Sequence, residues 1–199
     1  MPTSFHSEPQ SDAEIKSRRG RGSRRKGASY ERHVCRVANG IVSKLGWRWS
    51  RTPRSGGWGY ASRDPSLRKL RADITVPDAC RVFPEAKKRE SWSLDQFMSV
   101  GPKRWAPLLW YATAVPKAKA AGKIPVLFLA KNLFPDIVIV RRRDAATLLG
   151  AVPVPDAGEA VLWFDEFVAI PLRSFLTRLV AHETSAASAS SLESCVTGA

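Results

Sequence analysis

Residues 71–87 read Arg71-Ala-Asp73-Ile-Thr-Val76-Pro77-Asp-Ala79-Cys-Arg81-Val-Phe-Pro84-Glu85-Ala-Lys87, and their reading decides the fold. Two short apolar stretches flank a turn-like break at Pro77, Asp78 and Ala79. Read as β-strands, Ala72 to Val76 and Arg81 to Lys87 are expected to pair antiparallel around that turn. Alternation puts Glu85 and Lys87 on one face of the second strand and Ala86 on the other. Pro84 disfavours a helix just before the glutamate, while Val82 and Phe83 favour a strand. Asp73 and Glu85 then converge on one acidic pocket, with the Lys87 ammonium at its lip.

Convergence of two carboxylates needs a physical reason. Two unit charges about 4 Å apart repel by roughly 4 kcal/mol at an effective dielectric near 20. A divalent cation offsets that cost most directly. Mg²⁺ prefers hard oxygen ligands and keeps several waters, so two carboxylates and a backbone carbonyl suffice to hold it. The ion can polarise a phosphoryl oxygen and generate hydroxide from bound water. Lys87 would orient the attacking water or offset charge growing on phosphorus. Glu-Ala-Lys alone is common on ordinary helices; the strand context gives it meaning.

Composition points to a polyanionic substrate. The chain has 199 residues, 44% of them hydrophobic, enough for one globular domain with a core. Its formal charge is +14, the imbalance expected of a protein that binds nucleic acid. Between Gly27 and Ala130 the acids are Glu31, Asp64, Asp73, Asp78, Glu85, Glu90 and Asp95. In a protein that meets phosphates such acids need a purpose. Metal binding supplies one for Asp73 and Glu85, and extends to Glu31. Asp78 fits a turn, and Glu90 and Asp95 a solvated helix start. Cys35, Cys80 and Cys195 have no metal-ligand spacing, and Cys35 lies in a helical pattern that argues for packing. His6, His33 and His182 are scattered, which argues against a histidine nuclease or zinc site. No apolar run reaches membrane-span length and the first residues are polar, so a cytoplasmic protein without signal peptide or membrane partner is expected.

Four segments are expected. Residues 1–27 read as a disordered basic arm ending in Lys16-Ser-Arg-Arg-Gly-Arg-Gly-Ser-Arg24-Arg25-Lys26, which attracts phosphates but buries little surface. Residues 28–143 read as the catalytic core, 144–180 as an extension packed on it, and 181–199 as a disordered Ala/Ser/Thr-rich tail. Within the core Ser29 is expected to cap a helix stopped by Gly46, whose apolar face carries Tyr30, Val34, Val37, Ala38, Ile41, Val42 and Leu45. Trp47 to Trp49 reads as a strand, followed by a Gly-rich loop over Thr52 to Gly59. Ser93 opens a short helix through Gln96, and a longer helix spans about Trp105 to Ala121. Strands are expected at Pro125 to Ala130, Asp136 to Val140 and Val161 to Ile170. A small helix lies at Ala145 to Leu149, and a last helix carries Leu172, Phe175, Leu176, Leu179 and Val180 on one face.

Taken together these residues resemble the PD-(D/E)xK nuclease superfamily, and within it the archaeal-type Holliday junction resolvases and their phage relatives. The resemblance runs from Lys26 to about Lys131. It comprises Lys26-Gly27 and Glu31-Arg32 at the helix start, Ser55-Gly56-Gly57 in the loop, Ala72-Asp73-Ile74, Glu85-Ala86-Lys87, and Gln96. It implies a restriction-endonuclease-like α/β fold, a central mixed β-sheet flanked by helices. It also implies a Mg²⁺-dependent site in which Mn²⁺ substitutes, and a homodimer that cleaves branched DNA. Carried over by position, Asp73, Glu85 and the Ala86 carbonyl would ligate metal, and Lys87 would be the catalytic lysine. Glu31 would complete the acidic cluster, and Ser55 would approach the scissile phosphate. Arg24, Arg25, Lys26, Arg32, Arg51, Arg54, Gly56, Gly57, Arg71, Lys88 and Gln96 are the expected DNA contacts, with Trp58 either stacked on bases or buried. The chain departs from the archaeal pattern in a long stretch from Gly57 to Asp73 and in its extension past Val126, both of which bear on substrate choice. Three readings stand: a junction resolvase, a related nuclease of flapped, nicked or duplex DNA, and a DNA-binding protein without catalysis.

Overall fold

In a computed structural model the described residues are 12–52, 72–101, 104–150 and 162–196. The first helix, α1, runs from Asp12 to Val42, and a 3-10 turn over Ser43–Leu45 leads to Gly46 in the left-handed region at φ 69°. The apolar face read from the sequence is the face that packs. Tyr30, Val34, Ala38 and Val42 recur every four residues and are buried, with Val37, Ile41 and Leu45 partly buried beside them. The helix opens well before Ser29, however, and residues 12–27, read as part of a disordered arm, are helical. No proline interrupts Asp12 to Val42, and the Arg and Lys residues propagate a helix already nucleated by its packed half, against a cost of about 1 kcal/mol at each of Gly20, Gly22 and Gly27.

The chain next forms β1 (Ser50–Arg51), which pairs antiparallel with β2 (Ile74–Thr75) in a two-stranded sheet. The strand expected at Trp47 to Trp49 is absent, because the Asn39 side chain takes both backbone groups of Trp49. Asn39 Nδ2 donates to the Trp49 carbonyl at 2.9 Å and Oδ1 accepts from the Trp49 N–H at 2.7 Å.

The main sheet begins with β3 (Val82–Lys88). Helices α2 (Leu94–Val100) and α3 (Ala106–Ala120) carry the chain across to β4 (Ile124–Lys131), which pairs parallel with β3. A turn at Asn132 and Leu133 leads to β5 (Phe134–Arg141), then α4 (Arg142–Leu149). The hairpin β6 (Leu162–Phe164) and β7 (Phe167–Pro171) follows, and α5 (Leu172–Val196) ends the described chain. Strand order is β3-β4-β5-β7-β6, with every pair except β3–β4 antiparallel. This is the mixed, helix-flanked sheet of the restriction-endonuclease-like fold.

Two expectations need correction. First, Ala72–Val76 and Arg81–Lys87 do not form a hairpin ladder: β2 pairs with β1, and β3 pairs with β4. Pro84 supplies the reason. The Arg81 carbonyl accepts from Ile124 N–H and the Arg89 N–H donates to the Ala130 carbonyl, so odd-numbered residues of this strand turn their backbone groups toward β4. By alternation Pro84 faces the outer edge, where its missing N–H interrupts any ladder with a further strand. Second, residues 181–196 are helical in α5 rather than a disordered tail. Ala-rich sequence without proline continues the helix beyond its packed residues.

The sheet is covered on both faces. On one, α1, α4 and α5 pack against Val82, Ala86, Val126, Phe128, Val138 and Ile170. On the other, α3 with Trp92 and Trp105 packs against Leu127, Leu129, Ile137, Ile139 and Phe167. Residues 162–180, expected as part of an extension, contribute β6 and β7 to the same sheet and the face of α5 to the same core. Among the described residues no helix is long and apolar enough to cross a membrane.

Candidate active site

Parallel register decides which way the β3 side chains point. Glu85 and Lys87 stand beside Leu127 and Leu129, whose side chains face α3, whereas Ala86 and Lys88 stand beside Phe128 and Ala130 on the α1 face. The α3 face of β3 therefore presents Glu85 and Lys87 together, as alternation requires.

Asp73 reaches this pair from beyond the sheet edge. Its backbone carbonyl accepts the Thr52 N–H at 3.1 Å, which ties it to the end of β1. Its Oδ2 accepts the Ala86 N–H at 2.9 Å. That amide points outward for the same parity that turns Pro84 outward, so a carboxylate does what a neighbouring strand would otherwise do. Lys87 closes the cluster. Its Nζ lies 2.5 Å from Glu85 Oε1, 3.3 Å from Asp73 Oδ2 and 3.4 Å from the Ala86 carbonyl oxygen. Burial disfavours the Lys87 ammonium, but the charges and hydrogen bonds of Asp73 and Glu85 outweigh it and hold its pKa above the ordinary lysine value. The stability this gives is present through neutral pH and is lost only as pH rises past the ordinary lysine range.

The expected pocket is thus assembled from Asp73, Glu85, Ala86 and Lys87, although not by the hairpin expected. Glu31 has a different setting. It is buried on α1, and its Oε2 accepts a hydrogen bond from Arg51 Nε at 2.6 Å. Arg51 is the register partner of Ile74, next to Asp73, so Glu31 is linked to the cluster through β1 and β2. Among the described residues no three His, Cys, Asp or Glu side chains converge as a metal-ligand set, so Glu31 does not complete a three-carboxylate cage. Arg51, expected on phosphate, spends its Nε on this carboxylate.

The Asp73–Glu85 pair still fits a divalent cation. Its donors are carboxylate and carbonyl oxygens, the hard set suited to Mg²⁺. Glu85 is 4% exposed, and its Oε2 is buried without a hydrogen-bond partner. The Lys117 ammonium of α3 stands 3.6 Å from it, an ion-pair distance too long for a hydrogen bond. A buried carboxylate oxygen left in this state has capacity for a ligand. Lys117 escaped sequence reasoning. It is one of two lysines in the last turn of α3, flanking the buried Ala118, and only the parallel crossover lays that turn over Glu85.

The remaining expectations divide plainly. Arg25, Lys26 and Arg32 are exposed on α1, and Arg24 lies on the same helix. Lys88 faces the α1 side of the sheet. Gln96 has a structural partner, because Ser93 N–H donates to Gln96 Oε1 at 3.1 Å while Gln96 N–H donates to Ser93 Oγ at 3.3 Å. That is a reciprocal capping box at the start of α2. Arg54, Ser55, Gly56, Gly57, Trp58 and Arg71 lie outside the described residues.

The model of a family described as phage putative PDDEXK endonuclease matches residues 22–153. The match covers about two thirds of the 199-residue chain and contains every candidate residue named above. Neither curated proteins nor solved structures give a match.

Proposed function

We propose that this chain, since it belongs to the phage PDDEXK endonuclease family, hydrolyses DNA phosphodiester bonds with a divalent metal held by Asp73 and Glu85. The observation that carries this reading is the joining of both carboxylates by one half-buried lysine, with Glu85 Oε2 left without a hydrogen bond. Asp73, Glu85 and the Ala86 carbonyl would hold Mg²⁺, with Mn²⁺ as substitute; the bound ion supplies Lewis-acid polarisation of the phosphate and an acidified water. Ala86 N–H fixes the Asp73 carboxylate at the outer edge of β3. Lys87, whose ammonium lies against both carboxylates, would place a positive charge where the attacked phosphate gathers negative charge. Glu31 supports the site indirectly by holding Arg51 beside β2.

Branched DNA, and four-way junctions in particular, is the substrate we favour, with a homodimer as the acting unit. The resemblance to junction resolvases supports this choice. So does simple geometry: resolution needs two matched cuts, and a two-fold dimer supplies two sites from a chain with one set of motifs. Exposed apolar side chains at Leu109, Val100, Leu133 and Phe134 offer surface for such an interface. The test is a panel of end-labelled junction, flap, nicked and linear duplex DNA, with light scattering of the protein alone and bound. A dimer making paired symmetric nicks on the junction is expected. A monomer that cuts flaps or linear duplex equally well would replace resolution with single-strand cleavage.

A further inference from the structure

A second polar cavity opens on the other face of the sheet. It has a volume of about 400 Å³ and lies between α1 and the end of β4. Lys26, Arg36, Lys88 and Lys131 line it, with His33 and Asp136 between them. Basic residues therefore outnumber acids in the lining, where Asp136 is the one carboxylate, and it is already engaged: Asp136 Oδ2 lies 2.7 Å from His33 Nε2. Lys131 lines the rim and gives its ammonium to the Trp92 carbonyl at 3.2 Å. Cations crowded into a concave site repel one another unless an anion joins them, and lysine and arginine donors suit phosphate oxygens.

The position of the cavity selects which anion. Lys88 follows Lys87 directly and points to the opposite side of β3, so cavity and carboxylates flank the same strand end. From Glu85 to Lys88 the strand advances about 10 Å at roughly 3.3 Å per residue. A separation of that order keeps the cavity within reach of the same stretch of DNA backbone that meets the carboxylates. We infer that this cavity is a backbone subsite: it takes phosphates of the DNA close to the bond cut at Asp73 and Glu85. The inference rests on the nuclease reading for its ligand, but it concerns Arg36 and His33, which the sequence motifs do not include.

Binding separates the two claims, because it can be measured in EDTA without cleavage. A fluorescein-labelled duplex is titrated with full-length protein at several salt concentrations, for wild type, for Lys26→Ala/Arg36→Ala, and for Arg143→Ala/Lys44→Ala as a charge-matched control. Two lost phosphate contacts should lower the slope of log K against log salt by about 1.8 and weaken binding roughly 10-fold or more at moderate salt. The control, with its two residues exposed and outside the cavity, should keep the wild-type slope. A cavity variant with wild-type affinity and slope would overturn the subsite while leaving cleavage intact. Inorganic phosphate that displaced the DNA in the low millimolar range at constant ionic strength would overturn it too, by marking a site for a free anion. Wild-type protein that binds through the cavity but cuts no DNA with Mg²⁺ or Mn²⁺ would instead remove the nuclease reading.

Discussion

Asp73→Asn is expected to lower DNA cleavage on the order of 10³-fold while DNA affinity stays level or rises. Such a loss is about 4 kcal/mol of transition-state stabilisation. Asparagine keeps an oxygen for the Ala86 N–H, which Asp73 accepts at 2.9 Å, so the local fold survives. What it removes is the negative charge that would hold the cation and that pairs with Lys87. Removing a negative charge beside incoming phosphates should not weaken association, and this separates a catalytic role from a binding one. Asp73→Ala is a poorer test, because it also leaves a buried amide unpaired at a cost of about 1–3 kcal/mol. Single-turnover cleavage and anisotropy on the same junction, with a thermal melt as control, provide the measurement. Near wild-type cleavage by Asp73→Asn would remove Asp73 from the site.

Phe128→Ala should have the largest effect on stability. Its ring is fully buried in the middle of β4, edge-on to Trp49 at 6.0 Å and to Phe175 at 6.2 Å. It therefore joins the segment before β1, the central sheet and α5. Truncation of such a phenylalanine costs about 3–5 kcal/mol. For a chain of this size that corresponds to a fall in Tm of roughly 10 °C. Leu133→Ala is the matched control, because Leu133 is fully exposed at the β4–β5 turn and should leave Tm within about 1–2 °C of wild type. A Phe128→Ala variant that melts with wild type would contradict the packing of α5 and the Trp49 segment on one core.

Sequence legibility followed the range of the interaction. The α1 face, the β4–β5 pair and the buried face of α5 were readable, because apolar periodicity and turn residues act over a few positions. Glu85 and Lys87 could be placed on one side of a strand by alternation alone. The partner of that strand could not. Pro84 favours an edge strand but does not say that the chain crosses through α2 and α3 to return parallel at β4. The same crossover brings Lys117 over Glu85, so a residue far along the chain remained hidden. Helix length is hidden in the sequence for a related reason. Polar sequence such as Lys16 to Lys26 lacks an apolar face, yet it continues a helix that the packed half of α1 has started.

Cleavage of one labelled four-way junction by wild-type protein, followed in Mg²⁺ and then in EDTA, tests whether Asp73 and Glu85 form a metal-dependent nuclease site. Discrete nicks are expected in Mg²⁺, none in EDTA, and recovery when Mg²⁺ or Mn²⁺ is restored in excess. Cleavage that persists in EDTA, or a well-folded protein that binds the junction and cuts neither it nor duplex DNA with either metal, would contradict such a site.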